Sequence, residues 1–132
     1  MKKSGKNQLT EHDVKIEVVD DHVDTVTATS NYLEGIGFKT VWAYNGEDAI
    51  SVCKKEKPSL LLLDIKMPGM SGFDVAKNLP ETEILFATAY DDMEEKTHKF
   101  KNSIGLIRKP IDFENLVKVI RQKFKIKDPE FP

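Results

Sequence analysis

Short apolar segments alternate with amphipathic segments along most of this chain. The two strongest apolar runs are SLLLL at residues 59–63 and ILFA at residues 84–87. Continuous apolar runs of this length are typical of strands buried on both faces, as in a parallel sheet that helices cover. Three weaker runs predict further strands at residues 14–19, 38–44 and 104–107.

Helical patterns fill the segments between these runs, and glycine or proline follows the first three of them. Helices are predicted from residue 23 to the glycines at 35 and 37, over residues 46–57 and over residues 72–79. A fourth helix is predicted to be capped by Asp91 or Asp92 and to run to about Lys101. The fifth has Asp112 as its cap and the clearest apolar stripe, formed by Phe113, Leu116, Val117, Ile120 and Phe124.

Strand and helix therefore alternate five times, which predicts an α/β fold. We expect a doubly wound five-stranded parallel sheet with helices on both faces and right-handed crossovers. The 132 residues suit one domain, which we place at residues 13–126. Residues 1–12 are expected to form a disordered or solvated N-terminal tail, and residues 127–132 a C-terminal tail.

Composition and charge narrow the functional classes. The formal net charge of −2 gives no basic field for nucleic acid or an anionic membrane, so we expect neither partner. No apolar stretch is long enough to span a bilayer, and the first residues lack a secretory signal, so a cytoplasmic location is expected. The single cysteine, Cys53, excludes an internal disulfide and is expected to be buried.

Polar side chains follow four of the five predicted strands. Asp20 and Asp21 follow the first strand, Asp64 the third, Thr88 the fourth and Lys109 the fifth. Each residue alone has an ordinary explanation as a helix cap, turn residue or surface charge. Because ligands of open α/β sheets bind outside the carboxyl ends of the strands, the five together predict a site there.

These residue types suit phosphoryl transfer. Clustered carboxylates repel one another unless a cation lies between them, and oxygen ligands suit Mg²⁺. The ammonium of Lys109 can bind a phosphate oxygen, Thr88 offers a hydroxyl, and the small Ala89 leaves its backbone N–H accessible. An aspartate can act as a nucleophile toward phosphorus.

The chain resembles the receiver domain of response regulators, the chemotaxis-regulator-like family of two-component systems, with its (βα)5 flavodoxin-like fold. The resemblance covers roughly residues 14–124 and depends on VVDD, LLLLDIKMPGMSG, ATAY and RKP. The segment DIKMPGMSG is the most specific, because Asp64, Pro68, Gly69 and Gly72 stand where the family motif has them.

The resemblance implies a role for each site residue. Asp64 would be the phosphoacceptor, and Thr88, Ala89 and Lys109 would bind the phosphoryl group. The Lys109–Pro110 peptide bond would be cis. Mg²⁺ would be held by oxygen donors: Asp20 through water, Asp21, Asp64 and the backbone carbonyl of Lys66.

The resemblance also implies partners. The donor would be a phosphohistidine of a sensor histidine kinase or phosphotransfer protein, and the domain would switch conformation toward a target that the sequence does not name. The face formed by the fourth helix, fifth strand and fifth helix is a candidate homodimer interface. We expect a signalling domain with self-catalysed phosphotransfer and autodephosphorylation, and not an enzyme.

Two departures from the family pattern keep alternatives open. Leu106 stands where the family usually has an aromatic switch residue, and Tyr90, near Thr88, is not assigned that role. The third helix and its loop also look shorter than is usual in the family. A degenerate or phosphate-sink receiver acting as an interaction module is therefore one alternative. A haloacid-dehalogenase-like phosphohydrolase is another, but that family places a second aspartate where this chain has Lys66.

Overall fold

The computed structural model describes residues 9–127, and within them five strands form one parallel sheet. The strands are β1 (Lys15–Val19), β2 (Lys39–Ala43), β3 (Leu60–Asp64), β4 (Ile84–Thr88) and β5 (Ser103–Arg108). The helices are α1 (Val23–Ile36), α2 (Gly46–Glu56), α3 (Gly72–Asn78), α4 (Glu94–Thr97) and α5 (Phe113–Phe124). The strand order β2-β1-β3-β4-β5 confirms the predicted doubly wound flavodoxin-like fold.

Two apolar clusters cover the two faces of the sheet. One packs α1 and α5 against the sheet, and the other packs α2, α3 and the segment before α4. All five residues of β3 and of β4 are buried, as their uninterrupted apolar sequences predict. The buried Cys53 in α2 is likewise confirmed.

The fifth helix also agrees with its sequence pattern. The Asp112 side chain accepts a hydrogen bond from the backbone N–H of Asn115 at 3.1 Å, which satisfies one of the free donors of the first turn. The buried residues of α5 come from its apolar stripe: Leu116, Val117 and Ile120. This helix therefore covers its half of the sheet with a regular apolar face.

The predicted fourth helix is wrong in its length and its cap. A 3-10 turn at Asp91–Met93 precedes α4, which contains four residues, and neither Asp91 nor Asp92 is the N-cap. Asp92 has non-helical backbone angles of φ −99° and ψ 20°. Only Met93 and Thr97 are buried in the turn and helix, so this segment has little apolar surface to hold a longer helix against the sheet.

The structure shows a short 3-10 turn, Glu11–Asp13, at the predicted boundary of the domain. Glu11 forms an ion pair with Arg121 of α5, with 3.0 Å between Oε2 and Nε. The assignment of residues 1–12 and 127–132 as tails stays a prediction. Within these two segments, residues 1–8 and 128–132 lie outside the described residues. In residues 9–127 no helix is long and apolar enough to cross a membrane.

Candidate functional site at the carboxyl edge of the sheet

The fold brings the predicted polar residues to one edge of the sheet. Asp20 and Asp21 directly follow β1, Asp64 ends β3, Thr88 ends β4 and Lys109 directly follows β5. Backbone hydrogen bonds fix these strand ends to their neighbours, including one from the Lys109 N–H to the Thr88 carbonyl at 2.9 Å. The site lies where β1 and β3 are neighbours, at the point where the order of connection reverses.

Lys109 connects two of the three carboxylates. Its Nζ lies 2.5 Å from Oδ2 of Asp20 and 3.1 Å from Oδ1 of Asp64. The Lys109–Pro110 peptide bond is cis, as predicted. One ammonium group therefore lies between acids from two neighbouring strands.

Two glycines shape the loop that follows Asp64. Gly69 has a φ of 75°, a left-handed conformation that glycine adopts without steric cost. The N–H of Gly72 donates to the carbonyl of Ile65 at 2.8 Å, and a Cβ at position 72 would come within 2.9 Å of the Ile65 Cα. The spacing of glycines in DIKMPGMSG thus lets the loop close tightly beside the acid.

The electrostatics of the site leave an excess of negative charge. Burial, together with the neighbouring Asp20 and Asp21, raises the pKa of Asp64 to about 6 despite Lys109. Burial also raises the pKa of Asp20, but hydrogen bonds from Lys109 and His22 outweigh it and hold that pKa below its usual range. Burial lowers the pKa of Lys109, and its two acidic partners more than compensate, so the ammonium stays charged.

The donor set fits a hard divalent cation. Oδ1 of Asp21 is buried and has no hydrogen bond from any described residue, although an unpaired carboxylate oxygen is costly to bury. Of the three carboxylates, Asp20 and Asp64 share the ammonium of Lys109, whereas Asp21 contacts the imidazole of His22. Mg²⁺ prefers carboxylate, carbonyl and water oxygens, so Asp20, Asp21, Asp64 and the Lys66 carbonyl form a suitable ligand set.

A cavity of about 340 Å³ opens over Asp64. Its lining consists of His22, Thr25, Asp64, Lys66, Ala89, Tyr90 and Lys109. The Lys66 ammonium lies 5.4 Å from the centre of the Tyr90 ring, at the side of this cavity. The buried Thr88 hydroxyl accepts a hydrogen bond from the Tyr90 N–H at 3.1 Å, so it is close to the site but engaged with the backbone.

His22 is the site residue that the sequence reasoning missed. Its Nδ1 lies 3.1 Å from Oδ1 of Asp20 and 3.4 Å from Oδ1 of Asp21. Its position directly after the acid pair was the available signal. A residue at the N-terminus of a predicted helix is usually exposed, and the His22 side chain is indeed 72% exposed.

Leu106, in the place of the expected aromatic residue, lies on β5 beside Phe86 of β4. It packs against the second apolar cluster. Phe86 belongs to a group of three rings with Phe73 and Phe100, whose centres are 5.5 to 5.6 Å apart. The aromatic side chains near this part of the sheet thus come from α3, β4 and the segment after α4.

An aspartate at the end of a central strand, flanked by an acid pair and a lysine, defines a phosphoacceptor class of α/β domain. Residues 16–121 match the family model of the response regulator receiver domain, and the chain belongs to this family. Membership makes it a signalling domain of two-component systems. The haloacid-dehalogenase and degenerate-receiver alternatives gain no support from this match.

Curated relatives agree with this family. Protein PilH of Pseudomonas aeruginosa is 32% identical over 113 residues, which cover 80% of this chain and 93% of that protein. Sporulation initiation phosphotransferase F of Bacillus subtilis is 27% identical over 118 residues, covering 86% and 95%. The alkaline phosphatase synthesis regulator PhoP of B. subtilis is 34% identical over 92 residues, but the match spans 38% of its length.

Solved structures show the same fold. The response regulator TrrA of Thermotoga maritima, solved in complex with Mg²⁺ and BeF, has a TM-score of 0.75 and 26% identity, with 83% of this chain and 97% of that chain covered. A CheY-like receiver domain of Methanospirillum hungatei has a TM-score of 0.76 and 25% identity, with coverage of 85% and 94%.

Proposed function

We propose that Asp64 accepts a phosphoryl group from a phosphohistidine of a sensor histidine kinase or phosphotransfer protein. The observation that carries this proposal is the Lys109 ammonium between Asp20 and Asp64, beside an open cavity. Asp20, Asp21, Asp64 and the Lys66 carbonyl would hold Mg²⁺. When bound, Mg²⁺ supplies positive charge for the phosphoryl oxygens.

The chemistry that we assign to the chain is a single displacement at phosphorus. An oxygen of Asp64 forms the new bond to phosphorus as the bond from phosphorus to the donor imidazole nitrogen breaks. Lys109 would turn from Asp20 toward a phosphoryl oxygen, since its ammonium lies within 3.1 Å of the nucleophile. The Thr88 hydroxyl would leave the Tyr90 N–H and donate to the phosphoryl group, and the Ala89 N–H would donate to another oxygen.

We also propose where the donor binds. A mainly apolar cavity of about 540 Å³ adjoins the site and includes Ala89 and Lys109 in its lining. The remaining lining residues belong to α1 and to the start of α5: Asp24, Thr25, Ala28, Thr29, Pro110, Ile111 and Phe113. A helix of the donor could bury apolar side chains here while presenting its phosphohistidine to Asp64.

Autodephosphorylation belongs to the same proposal, because the cavity over Asp64 leaves room for water to approach the acyl phosphate.

Four further points stay predictions. They are the existence of a downstream target, homodimerisation through the α4–β5–α5 face, the absence of nucleic-acid binding and a cytoplasmic location.

Incubation with acetyl phosphate and Mg²⁺ tests the proposed phosphoacceptor. The wild-type protein should give an acid-labile phosphoprotein, and Asp64→Asn should give none. Asp92→Asn is the matched control, because Asp92 is an exposed aspartate that does not line the cavity over Asp64. An undiminished phosphoprotein band from Asp64→Asn would contradict the proposal.

A further inference from the structure

His22 extends the acid pair with an imidazole nitrogen. Its Nδ1 and one carboxylate oxygen each from Asp20 and Asp21 lie within 4.8 Å of one another. The backbone N–H of His22 also donates to Oδ1 of Asp20 at 2.9 Å, which fixes the position of the residue against the acids. The side chain is otherwise exposed and can be reached by an ion from solution.

The two spacings from His22 Nδ1 to the carboxylate oxygens are close to those of a metal-ligand set. Two ligands in neighbouring positions of an octahedron with bonds of about 2.1 Å are about 3.0 Å apart. The His22 Nδ1 lies 3.1 Å and 3.4 Å from the two carboxylate oxygens.

A hydrogen bond explains only part of this arrangement. The contact between His22 Nδ1 and Asp20 Oδ1 is a hydrogen bond, but Oδ1 of Asp21 is buried and has none from the described residues. A ring N–H can point at one oxygen, whereas a metal ion can contact all three atoms. Because no hydrogen bond satisfies the buried Asp21 oxygen, the arrangement points to a cation shared by the three atoms.

We propose that His22 Nδ1 is a further metal ligand beside Asp20 and Asp21, which gives the site an affinity for first-row transition ions such as Ni²⁺ or Zn²⁺. The inference rests on the proposed magnesium site and concerns its ion selectivity. Imidazole suits Ni²⁺ and Zn²⁺, whereas Mg²⁺ prefers oxygen ligands alone. Loss of the imidazole should therefore weaken transition-ion binding and leave Mg²⁺ binding largely unchanged.

Calorimetric titration of the full chain with NiCl₂ and separately with MgCl₂ measures this selectivity. At one fixed pH for both proteins, His22→Asn should lower the Ni²⁺ affinity by about tenfold or more. The Mg²⁺ affinity should stay the same. His98→Asn is the matched control, because His98 is an exposed histidine at the end of α4.

The outcomes separate this inference from the proposed function. Equal Ni²⁺ affinity in wild type and His22→Asn would overturn the role of His22 while leaving the magnesium site intact. Absence of Mg²⁺ binding in the wild type, or an unchanged Mg²⁺ affinity in Asp21→Ala, would instead count against the proposed function.

A second measurement needs no variant. In ¹⁵N-labelled wild-type protein, saturating Zn²⁺ should shift the Nδ1 resonance of His22 selectively, because the metal binds the lone pair of that nitrogen and displaces any proton on it. A shift confined to His12 or His98, or no shift at any histidine, would overturn the proposal.

Discussion

Glu17 has an unusual environment for an ionisable residue. It lies on β1 between Val41 of β2 and Leu61 of β3, and its side chain is fully buried. Neither carboxylate oxygen has a hydrogen bond from the described residues. Burial raises its pKa to about 8, so the carboxyl group is mainly protonated at neutral pH in the folded protein.

We expect Glu17 to make the free energy of unfolding fall as pH rises. Because the folded pKa of about 8 exceeds the unfolded value of 4.5, its contribution is complete below pH 4.5 and is lost as pH rises through about 8. Glu17→Gln cannot ionise, so its stability relative to wild type should increase over this window by on the order of 3–5 kcal/mol.

Urea unfolding at several pH values checks this expectation. Glu81→Gln is the control, because Glu81 is exposed in the loop before β4 and should keep the wild-type pH dependence. Parallel pH profiles for Glu17→Gln and wild type would show that Glu17 is ionised to the same extent in both states.

The sequence predicts the residues of the site to different degrees. The positions of Asp64 and Lys109 at one edge of the sheet could be predicted because Asp64 ends a strand with a clear apolar sequence and Lys109 directly follows a weaker run, that of β5. His22 could not, since its role depends on a side-chain direction that the sequence pattern does not contain. Glu17 was also unexpected, because a charged residue in a strand is usually exposed.

At the scale of elements, hydrogen bonds of Asn102 connect the end of α3 to the sheet. Its buried side-chain amide donates to the carbonyls of Leu79 and Thr82, at 2.9 Å and 3.0 Å. These carbonyls belong to the connection between α3 and β4. The side chain therefore orders this connection beside the start of β5.

We expect Asn102→Ala to lower the free energy of unfolding by about 1–3 kcal/mol, because it removes the donor to the Thr82 carbonyl and one of the two donors to the Leu79 carbonyl. Asn78→Ala is the matched control: its amide also donates to a carbonyl, that of Asp74, but it is exposed. The control should change stability by less than about 0.5 kcal/mol. Similar losses in urea midpoint for the two variants would contradict the role assigned to Asn102.

The short α4 should be the element that responds most to phosphorylation. Because α4 has few buried residues, we expect its local stability to be low. The turn that precedes α4 begins directly after Tyr90, whose N–H donates a hydrogen bond to the Thr88 hydroxyl. Movement of Thr88 toward the phosphoryl group would release that N–H. Hydrogen exchange with and without beryllofluoride and Mg²⁺ should therefore change in residues 90–107.

The control for that experiment is Thr88→Val, which removes the hydroxyl at similar size. It should retain altered exchange near Asp64 and lose most of the change in residues 90–107. Changes confined to the loops around Asp64 in the wild type would mean that phosphorylation is not relayed to α4.

Elements were predictable where apolar periodicity was strong. The strands β3 and β4 and the helix α5 follow directly from buried apolar runs and a regular stripe. The segment DDMEEKTHKFK contains helix-forming residues. In the 3-10 turn and α4, however, only Met93 and Thr97 are buried. Local helix propensity therefore suggested more helix there than tertiary packing supports.

For the molecule as a whole, Mg²⁺ should couple the site to stability. An ion that binds only the folded state adds RT ln(1 + [L]/Kd), or roughly 2.7 kcal/mol at a free concentration of about 100 Kd. The urea midpoint should rise accordingly with added Mg²⁺. Asp21→Ala should remove most of that rise, and an unchanged wild-type midpoint at saturating Mg²⁺ would contradict the predicted ligand set.

Chemical mapping of the phosphorylated residue tests whether Asp64 is the phosphoacceptor. Borohydride reduces an aspartyl phosphate to homoserine, which peptide mass spectrometry locates. After treatment with acetyl phosphate, Mg²⁺ and then borohydride, we expect homoserine at position 64 alone, and none when Mg²⁺ is omitted. Homoserine at position 20 or 21, or an unmodified Asp64 in protein that carries phosphate, would contradict it.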